Sequence, residues 1–402
     1  MRDAGIATAC LLAIVFAAGT GAYLIFGPDL SAGGFNPKGL IDHVGSVGNV
    51  LVSPFARWDS AWYMTAAQHG YGEQLPAAPP AFFPLYPLLI AILGTFGLND
   101  VFAAVMISIA SLLVGLRVVW LLTDLEFGEH YPEAPRLAVF LIALFPTAFF
   151  LTAVYPESLL FALSASAFWM ARQGRWAWAG LLGGLAAASH SLGLLLIVPL
   201  GLLYLREHRW WHLRFDVLWL ALVPVGYGAF MAYLGLRGMD PLSPLYIHER
   251  WFRDFTGPFK GTWLAIEAAS AGFHQLFSGS AYPIRWPAER QLGFDPMTAS
   301  RDNIELFAFL VLAVAATIGA FRRLPLAYGA YIAVVVLVSV SYPIEAQPLA
   351  GFSRYLAVTF PVQMVMARWL AAHKPWRLPV LGLSSCALAY YVGYFATWHF
   401  VG

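Results

Sequence analysis

Apolar runs about as long as a bilayer is thick recur along the whole chain. They cover residues 6–26, 101–122, 136–153, 216–236, 304–321, 326–343, 354–371 and 378–399. Each is close to the roughly 20 residues that a helix needs to cross about 30 Å of hydrocarbon. A shorter run at 157–171 follows a Tyr155-Pro156-Glu157 break, and the run 177–204, too long for one span, is interrupted near Ser189-His190-Ser191. The runs are continuous rather than alternating, which argues for helices and against a membrane β-barrel. The pattern predicts an all-α, polytopic integral membrane protein of about eleven transmembrane helices.

Arginine and lysine in short loops set the orientation. Arg172 and Arg175, then Arg206, Arg209 and Arg214, flank the two ends of the 177–204 run. Both clusters belong on the cytoplasmic side, so the run must enter the membrane and return as two short helices meeting near Ser189–Gly193. Such breaks are tolerated where they line an enclosed or wet cavity. Arg322-Arg323 and Lys374 with Arg377 fill two more cytoplasmic turns, and Arg117 and Arg136 place the acidic loop 123–135 there too. By parity, the proline-rich stretch 82–97 does not cross; the alternative is that it does and that the acidic loop 123–135 lies outside. Two long segments then fall on the non-cytoplasmic face. One is 27–100, with a motif described below and an interfacial element at 82–97; the other is 237–303.

Composition agrees. Sixty per cent of the residues are hydrophobic and 11% are charged, against roughly 25% charged in soluble domains. A net charge of +1 leaves no basic excess for nucleic acid. Cys10 and Cys386 lie in apolar runs and read as small hydrophobes rather than a disulfide. The apolar run after Met1-Arg2-Asp3 reads as an uncleaved first span, since so many others follow.

The residues able to carry chemistry concentrate in the first long segment. Arg57-Trp58-Asp59-Ser60-Ala61-Trp62-Tyr63 sets an acid and a base among aromatic rings near a membrane surface. Two readings are open from spacing alone. One is an interfacial aromatic belt with a surface Arg57–Asp59 ion pair. The other is a carboxylate that takes a proton from a hydroxyl nucleophile, with rings for the apolar face of a sugar and Arg57 for a phosphate. Glu157, His190 and Arg354 also sit at edges or breaks of apolar runs on that side, where helix-end electrostatics, a local hydrogen bond or snorkelling would also account for them. Asp42 and His43 read as structural. The segment 237–303 mixes Trp251, Arg253, Asp254, Trp263, His274, Tyr282, Arg285 and Trp286 without metal-ligand spacing.

The run Arg57 to Tyr63, then Gly70-Tyr71, then Ala81-Phe82-Phe83-Pro84-Leu85-Tyr86-Pro87 resembles the signature of the PIG-V-like mannosyltransferases of the GT-C glycosyltransferase superfamily. The resemblance continues in Phe145–Phe150 and Tyr155–Ser158, in Gly183–Leu185 and Ser189–Gly193, and in Ser353-Arg354-Tyr355 and Phe360-Pro361. It implies a many-span fold with a large first outer loop carrying a catalytic acid. It implies transfer of mannose or another hexose, with inversion, from a polyprenyl-phosphate donor to a glycolipid or glycan hydroxyl outside the cytoplasm. The family's eukaryotic members act on the glycosylphosphatidylinositol precursor. Asp59 matches the catalytic carboxylate, Glu157 the acid of the second outer turn, and Arg354 the basic residue opening a late span. The implied site is thus Asp59 and Glu157 as catalytic groups, with Arg57, Trp58, Trp62, Tyr63, Tyr155, His190, Arg354 and Tyr355 binding substrate. His190 stands where relatives tend to have Arg, and a longer spacer separates Glu73 from Ala81. No cofactor is expected: Asp-x-Asp is absent, which leaves room only for one ion held by Asp59 and a phosphate. The expected partners are the lipid-linked donor, the acceptor and the bilayer, in a bacterial plasma membrane. A lipid-linked sugar transporter is the competing reading; it would place ionisable groups near the bilayer midplane rather than at its outer edge.

The topology has a direct test. Single cysteines at Ser278 and Ser189 should react with an impermeant thiol reagent from outside, and one at Gln173 should not. Labelling of Gln173 from outside would reverse the orientation.

Overall fold

The structure is a computed structural model that describes residues 1–27, 48, 50–72, 78–208, 214–278 and 296–401. Asp42, His43, Glu73, Arg209, Tyr282, Arg285 and Trp286, named above, lie outside the described residues. The first half of the chain folds as α1 (Arg2–Phe26), α2 (Ser60–His69), α3 (Leu85–Thr95), α4 (Asp100–Gly128), α5 (Ala134–Ala143), α6 (Glu157–Arg172), α7 (Trp176–Ser189) and α8 (Ile197–Glu207). The second half adds α9 (Phe215–Leu236), α10 (Pro258–Ser278), α11 (Pro296–Arg323), α12 (Leu326–Ser341), α13 (Phe352–Val358), α14 (Pro361–Ala372) and α15 (Lys374–Ala396). The sheet-like pairing among the described residues is one isolated bridge between Tyr71 and Ala78.

Among the described residues five helices, α1, α4, α9, α11 and α15, are long and apolar enough to cross a membrane. The remaining apolar length is cut into shorter pieces, so about eleven crossings is not a count of long helices. Two expected spans are broken by proline. The run 136–153 stops as a helix at Ala143, turns through Phe145-Pro146-Thr147 and continues as a 3-10 turn at Ala148–Leu151. The run 354–371 divides into α13 and α14, with Pro361 opening the second. A proline inside a helix lacks the N–H for the carbonyl four residues back and clashes with it. The run 378–399 also ends early: α15 stops at Ala396, and Trp398 takes a left-handed conformation with φ of 69°.

The long run 177–204 doubles back on itself. His190 is extended, and its Nδ1 accepts the Leu192 N–H at 3.1 Å, capping a 3-10 turn over Ser191–Leu196. Gly193 then lies so close to α7 that a Cβ there would sit 2.2 Å from the Ala186 carbonyl. At the far end the Trp176 and Tyr204 rings meet at 4.8 Å. Arg172 and Arg206 therefore border one recess, at the opposite end of the hairpin from His190.

That recess marks one pole of the bundle. Glu126, at the end of α4, pairs with Arg172 at 2.7 Å and accepts from the Tyr328 hydroxyl at 3.0 Å. Arg368 reaches the Tyr131 hydroxyl at 3.1 Å, and Arg377 pairs with Glu133. The acidic loop thus sits with the basic turns it balances. At this pole the charges of 123–135 meet those of Arg172 and Arg377, so net charge alone is a poor guide to its side.

The segments expected as outer loops hold helices. Within 27–100, α3 has eleven residues, about 16 Å at 1.5 Å per residue, half of a hydrocarbon core. Within 237–303, α10 buries a face of small residues, Gly261, Ala265, Ala269 and Gly272, while Phe259, Trp263, Phe273 and Phe277 face outward. The described part of that segment therefore includes a helix with a small-residue inner face and an aromatic outer face. Ser189 is fully buried, so a label there reports burial rather than side; Ser278 and Gln173 carry the topology test.

Close helix approach depends on missing side chains, as is usual where apolar solvent gives helices no drive to associate. A Cβ on Gly226 of α9 would lie 1.9 Å from the Gly184 carbonyl of α7, whereas Gly228 has nothing within 4 Å. Gly226→Val should therefore destabilise the protein by at least about 1–3 kcal/mol relative to Gly228→Val, read by thermal unfolding in detergent. Equal melting temperatures would refute this helix crossing.

Candidate active site

Asp59 is presented by a strained turn. The chain leaves the 3-10 turn Ser53–Phe55, passes through Arg57 and Trp58, and enters α2 at Ser60. Trp58 has φ of 56°, a conformation that costs a non-glycine residue of order 1–3 kcal/mol and persists only where its surroundings hold it. They do so from three sides. The Trp58 indole donates to the His399 carbonyl at 3.1 Å, and its ring meets Phe400 edge-on at 5.4 Å. The Arg57 Nε donates to the Ala396 carbonyl at 3.2 Å, with the guanidinium 4.8 Å above the Trp398 ring. The Tyr155 hydroxyl donates to the Arg57 carbonyl and accepts the Asp59 N–H, both at 3.1 Å.

Asp59 occupies the N-cap position of α2 but makes no capping bond with its side chain. Its carboxylate turns to Arg354, whose Nη1 lies 2.9 Å from Asp59 Oδ2. The Arg354 Nε lies 3.0 Å from Glu157 Oε1. One guanidinium is shared by two carboxylates, Asp59 lying 295 residues before it in the sequence and Glu157 197 (354 − 157). The rings of Phe150, Tyr155 and Tyr355 surround it, with centroids 5.5, 5.5 and 5.4 Å from its central carbon. Arg354 enters from the first turn of α13, behind Gly351, whose φ of 80° a side chain would resist.

Asp59 and Arg354 open into one cavity of about 370 Å³, inside the roughly 300–1,000 Å³ range of small-molecule sites. Of the residues expected from sequence, Trp58, Trp62, Tyr63, Tyr155, His190 and Tyr355 also line it. Trp62 stacks on Phe82 at 6.0 Å, and His190 meets the Tyr355 ring at 5.7 Å. Two expectations change. Arg57 is 1% exposed and lines no part of the cavity; it clamps the 396–398 segment to the strained turn instead of facing a ligand. Glu157, also 1% exposed, lies behind Arg354 rather than on the wall, because as the first residue of α6 it points into the bundle. The Arg57–Asp59 surface ion pair of the aromatic-belt reading does not form, since each side chain has another partner.

The rest of the wall comes from segments whose sequence carried little signal. His248, Trp251 and Arg253 enter from the stretch between α9 and α10, and Glu345 and Gln347 from that between α12 and α13. Phe400 and Val401 follow α15. A polar residue beside Pro343, between two apolar runs, was a usable hint for Glu345. Nothing local marks Phe400. Among the described residues no three His, Cys, Asp or Glu side chains converge as metal ligands.

Residues 24–207 match the family model described as Mannosyltransferase (PIG-V). A rat (Rattus norvegicus) protein named GPI alpha-1,6-mannosyltransferase 2 is 35% identical over 180 residues, covering 42% of this chain and 35% of its own. The mouse (Mus musculus) protein of the same name is 35% identical over 163 residues, 38% of this chain and 31% of its own. That of Cricetulus griseus is 33% identical over 179 residues, 42% of this chain and 35% of its own. The chain thus matches about a third of the length of these curated relatives. The matched stretch, residues 24–207, is similar to the PIG-V mannosyltransferases and contains the strained turn, Asp59, Tyr155, Glu157 and the His190 break.

Proposed function

We propose that the protein is an integral membrane glycosyltransferase that moves mannose, or another hexose, from a polyprenyl-phosphate donor to a hydroxyl of a glycolipid or glycan. The observation that carries the reading is a carboxylate on a strained, family-matched turn, facing an aromatic cavity at one pole of a helical bundle. The acceptor oxygen attacks the anomeric carbon, and Asp59 takes the hydroxyl proton. The bond from that carbon to the donor phosphate oxygen breaks, and the phosphate leaves with the electron pair and one more negative charge. A single in-line displacement inverts the anomeric centre.

The charged groups support this reading over transport. Asp59, Glu157 and Arg354 gather at helix ends on the side of the His190 break, and the Glu126–Arg172 pole lies at the other end of α6. Basic turns at that second pole support a cytoplasmic side for it and a cavity on the far side, where lipid-linked sugars rather than nucleotide sugars would be the available donors. In this scheme Arg354 poises Asp59. Its guanidinium fixes the carboxylate's orientation, while Glu157 holds the guanidinium from behind. The second Asp59 oxygen is left for the acceptor.

Two experiments test the assignment. Asp59→Asn keeps the shape of the side chain but removes the proton acceptor, so transfer from polyprenyl-phosphate-mannose should fall about 10²–10⁴-fold with donor affinity little changed. Full activity in that variant would remove Asp59 as the base. Arg354→Met leaves Glu157 buried with no cation beside it, at a cost of about 3–5 kcal/mol. Adding Glu157→Gln should recover part of that loss, measured as a double-mutant cycle in detergent. Simple additivity of the two changes would show that the pair is not coupled.

A further inference from the structure

The reaction proposed above needs a cation for the phosphate; Arg57 lines no part of the cavity, and Arg354 is the substrate-binding arginine that the sequence reading leaves. The geometry argues against it. Arg354 lies within about 3 Å of two carboxylates, at 2.9 and 3.0 Å. Its guanidinium is already engaged by both, which leaves little of its charge for an incoming anion.

Arg253 is in the opposite condition. It lines the cavity together with His190 and Arg354. Its Nη1 donates to the Tyr342 carbonyl at 3.2 Å and its Nη2 to the Ala350 carbonyl. Those two bonds anchor the side chain across the stretch between α12 and α13. A guanidinium has five N–H donors, so about three remain. Among the described residues no carboxylate forms an ion pair with it. A charge held at the wall of a mostly apolar cavity without a counter-ion is costly unless a ligand supplies one. His248 stands beside it, held below the usual histidine range first by burial and then by the Arg253 charge. Arg250 lines the same cavity, but Arg253 is the arginine there whose side chain is anchored by two backbone carbonyls and has no carboxylate in ion-pair contact among the described residues.

We infer that Arg253 is the residue that holds the phosphate of the ligand in this cavity, a phosphate ester oxygen taking the guanidinium N–H groups that the carbonyls leave free. This rests on the reading of the cavity as a lipid-phosphate-sugar site, but it assigns the anion to a segment outside the family match of 24–207. The placement suits the chemistry. The phosphate gains its extra charge as it leaves, and a cation without a counter-ion stabilises that charge more than one already neutralised. Arg354 and Arg253 then divide the work: the first orients the base, the second receives the leaving group.

The test is binding, separate from turnover. Purified full-length protein in phosphatidylcholine nanodiscs is titrated with a short-chain polyprenyl phosphate, with the uncharged polyprenol and, in a second arm, with phosphatidylinositol. Bound radiolabelled ligand, separated from free ligand, is the readout. Polyprenyl phosphate should bind and polyprenol should bind far less. Arg253→Gln, which still donates to one carbonyl, should weaken phosphate binding about 10–100-fold, and Arg253→Lys should recover part of it. Arg354→Gln should change it less than about threefold. Unligated melting temperatures confirm that the variants are folded; if Arg253→Gln does not fold, the comparison of Arg253→Lys with Arg354→Lys carries the same test. Arg253-dependent binding of phosphatidylinositol alone would assign the phosphate to the acceptor and keep the site. Phosphate binding unchanged in Arg253→Gln, or lost in Arg354→Gln alone, would overturn the inference. Binding that depends on Arg253 in a protein that transfers no sugar would retain this site and remove the transferase reading; transfer with Arg253-independent binding would do the reverse.

Discussion

Arg354 is the junction on which the site depends. Its side chain touches Asp59 from the turn before α2 and Glu157 from the start of α6, and it stands between rings from three further positions. Removing charges from water is expensive, and a buried pair repays that cost only when geometry and partners are nearly complete. The cluster meets it only in part, since Glu157 Oε2 and Arg354 Nε are buried without a hydrogen-bond partner among the described residues. Glu157 adds the favourable field of the helix N-terminus behind it, and Asp59 stays about one-third exposed, with one oxygen on the guanidinium. The arrangement ties the first long segment to the last third of the bundle, so the candidate base is positioned by the fold as a whole.

The bundle keeps its charges at two poles. At one, Glu126, Arg172 and Tyr328 form a compact group, with Glu133 on Arg377 and Tyr131 on Arg368 nearby. At the other are the Arg354 cluster and the cavity. Between them the helices are joined by small residues in close approach, as at Gly184 and Gly226. A low-dielectric middle with polar ends is what a bilayer imposes, because an unpaired polar group in hydrocarbon costs several kcal/mol, roughly. Irregular backbone finds partners: the His190 break lines the cavity, and beside Pro146 the Thr147 hydroxyl donates to the Ser353 carbonyl at the start of α13.

The segment after α15 shows how a site is completed from a distance. Trp398 and Trp58 both hold left-handed backbone conformations and pack against each other at 6.3 Å. Arg57 stacks on one and precedes the other in sequence, bonding the Ala396 carbonyl. Two strained residues thus stabilise each other's surroundings. Phe400 and Val401, carried by the same segment, become part of the cavity wall. Strain stored beside a candidate catalytic group is a recurrent arrangement, since it holds that group in a single orientation.

Much of this was readable from the chain itself. Apolar run lengths established a helical membrane protein, because span length is a property of sequence alone. The parity of basic turns required 177–204 to fold back, and the His190 break with the Trp176–Tyr204 contact has that form. The motif around Asp59 pointed to a turn that faces the cavity, and eight of the ten site residues named from sequence line it. What sequence left undecided was partnership. Arg57 and Arg354 are the same residue type beside aromatic rings; only folding shows that one bonds a backbone carbonyl and the other two carboxylates. The lack of a carboxylate partner for Arg253 is likewise visible only once chain segments nearly 100 residues apart are brought together. A side chain's charge is written in its own codon, but whether that charge is spent or available depends on what stands within a few ångströms of it, and that is a property of tertiary structure.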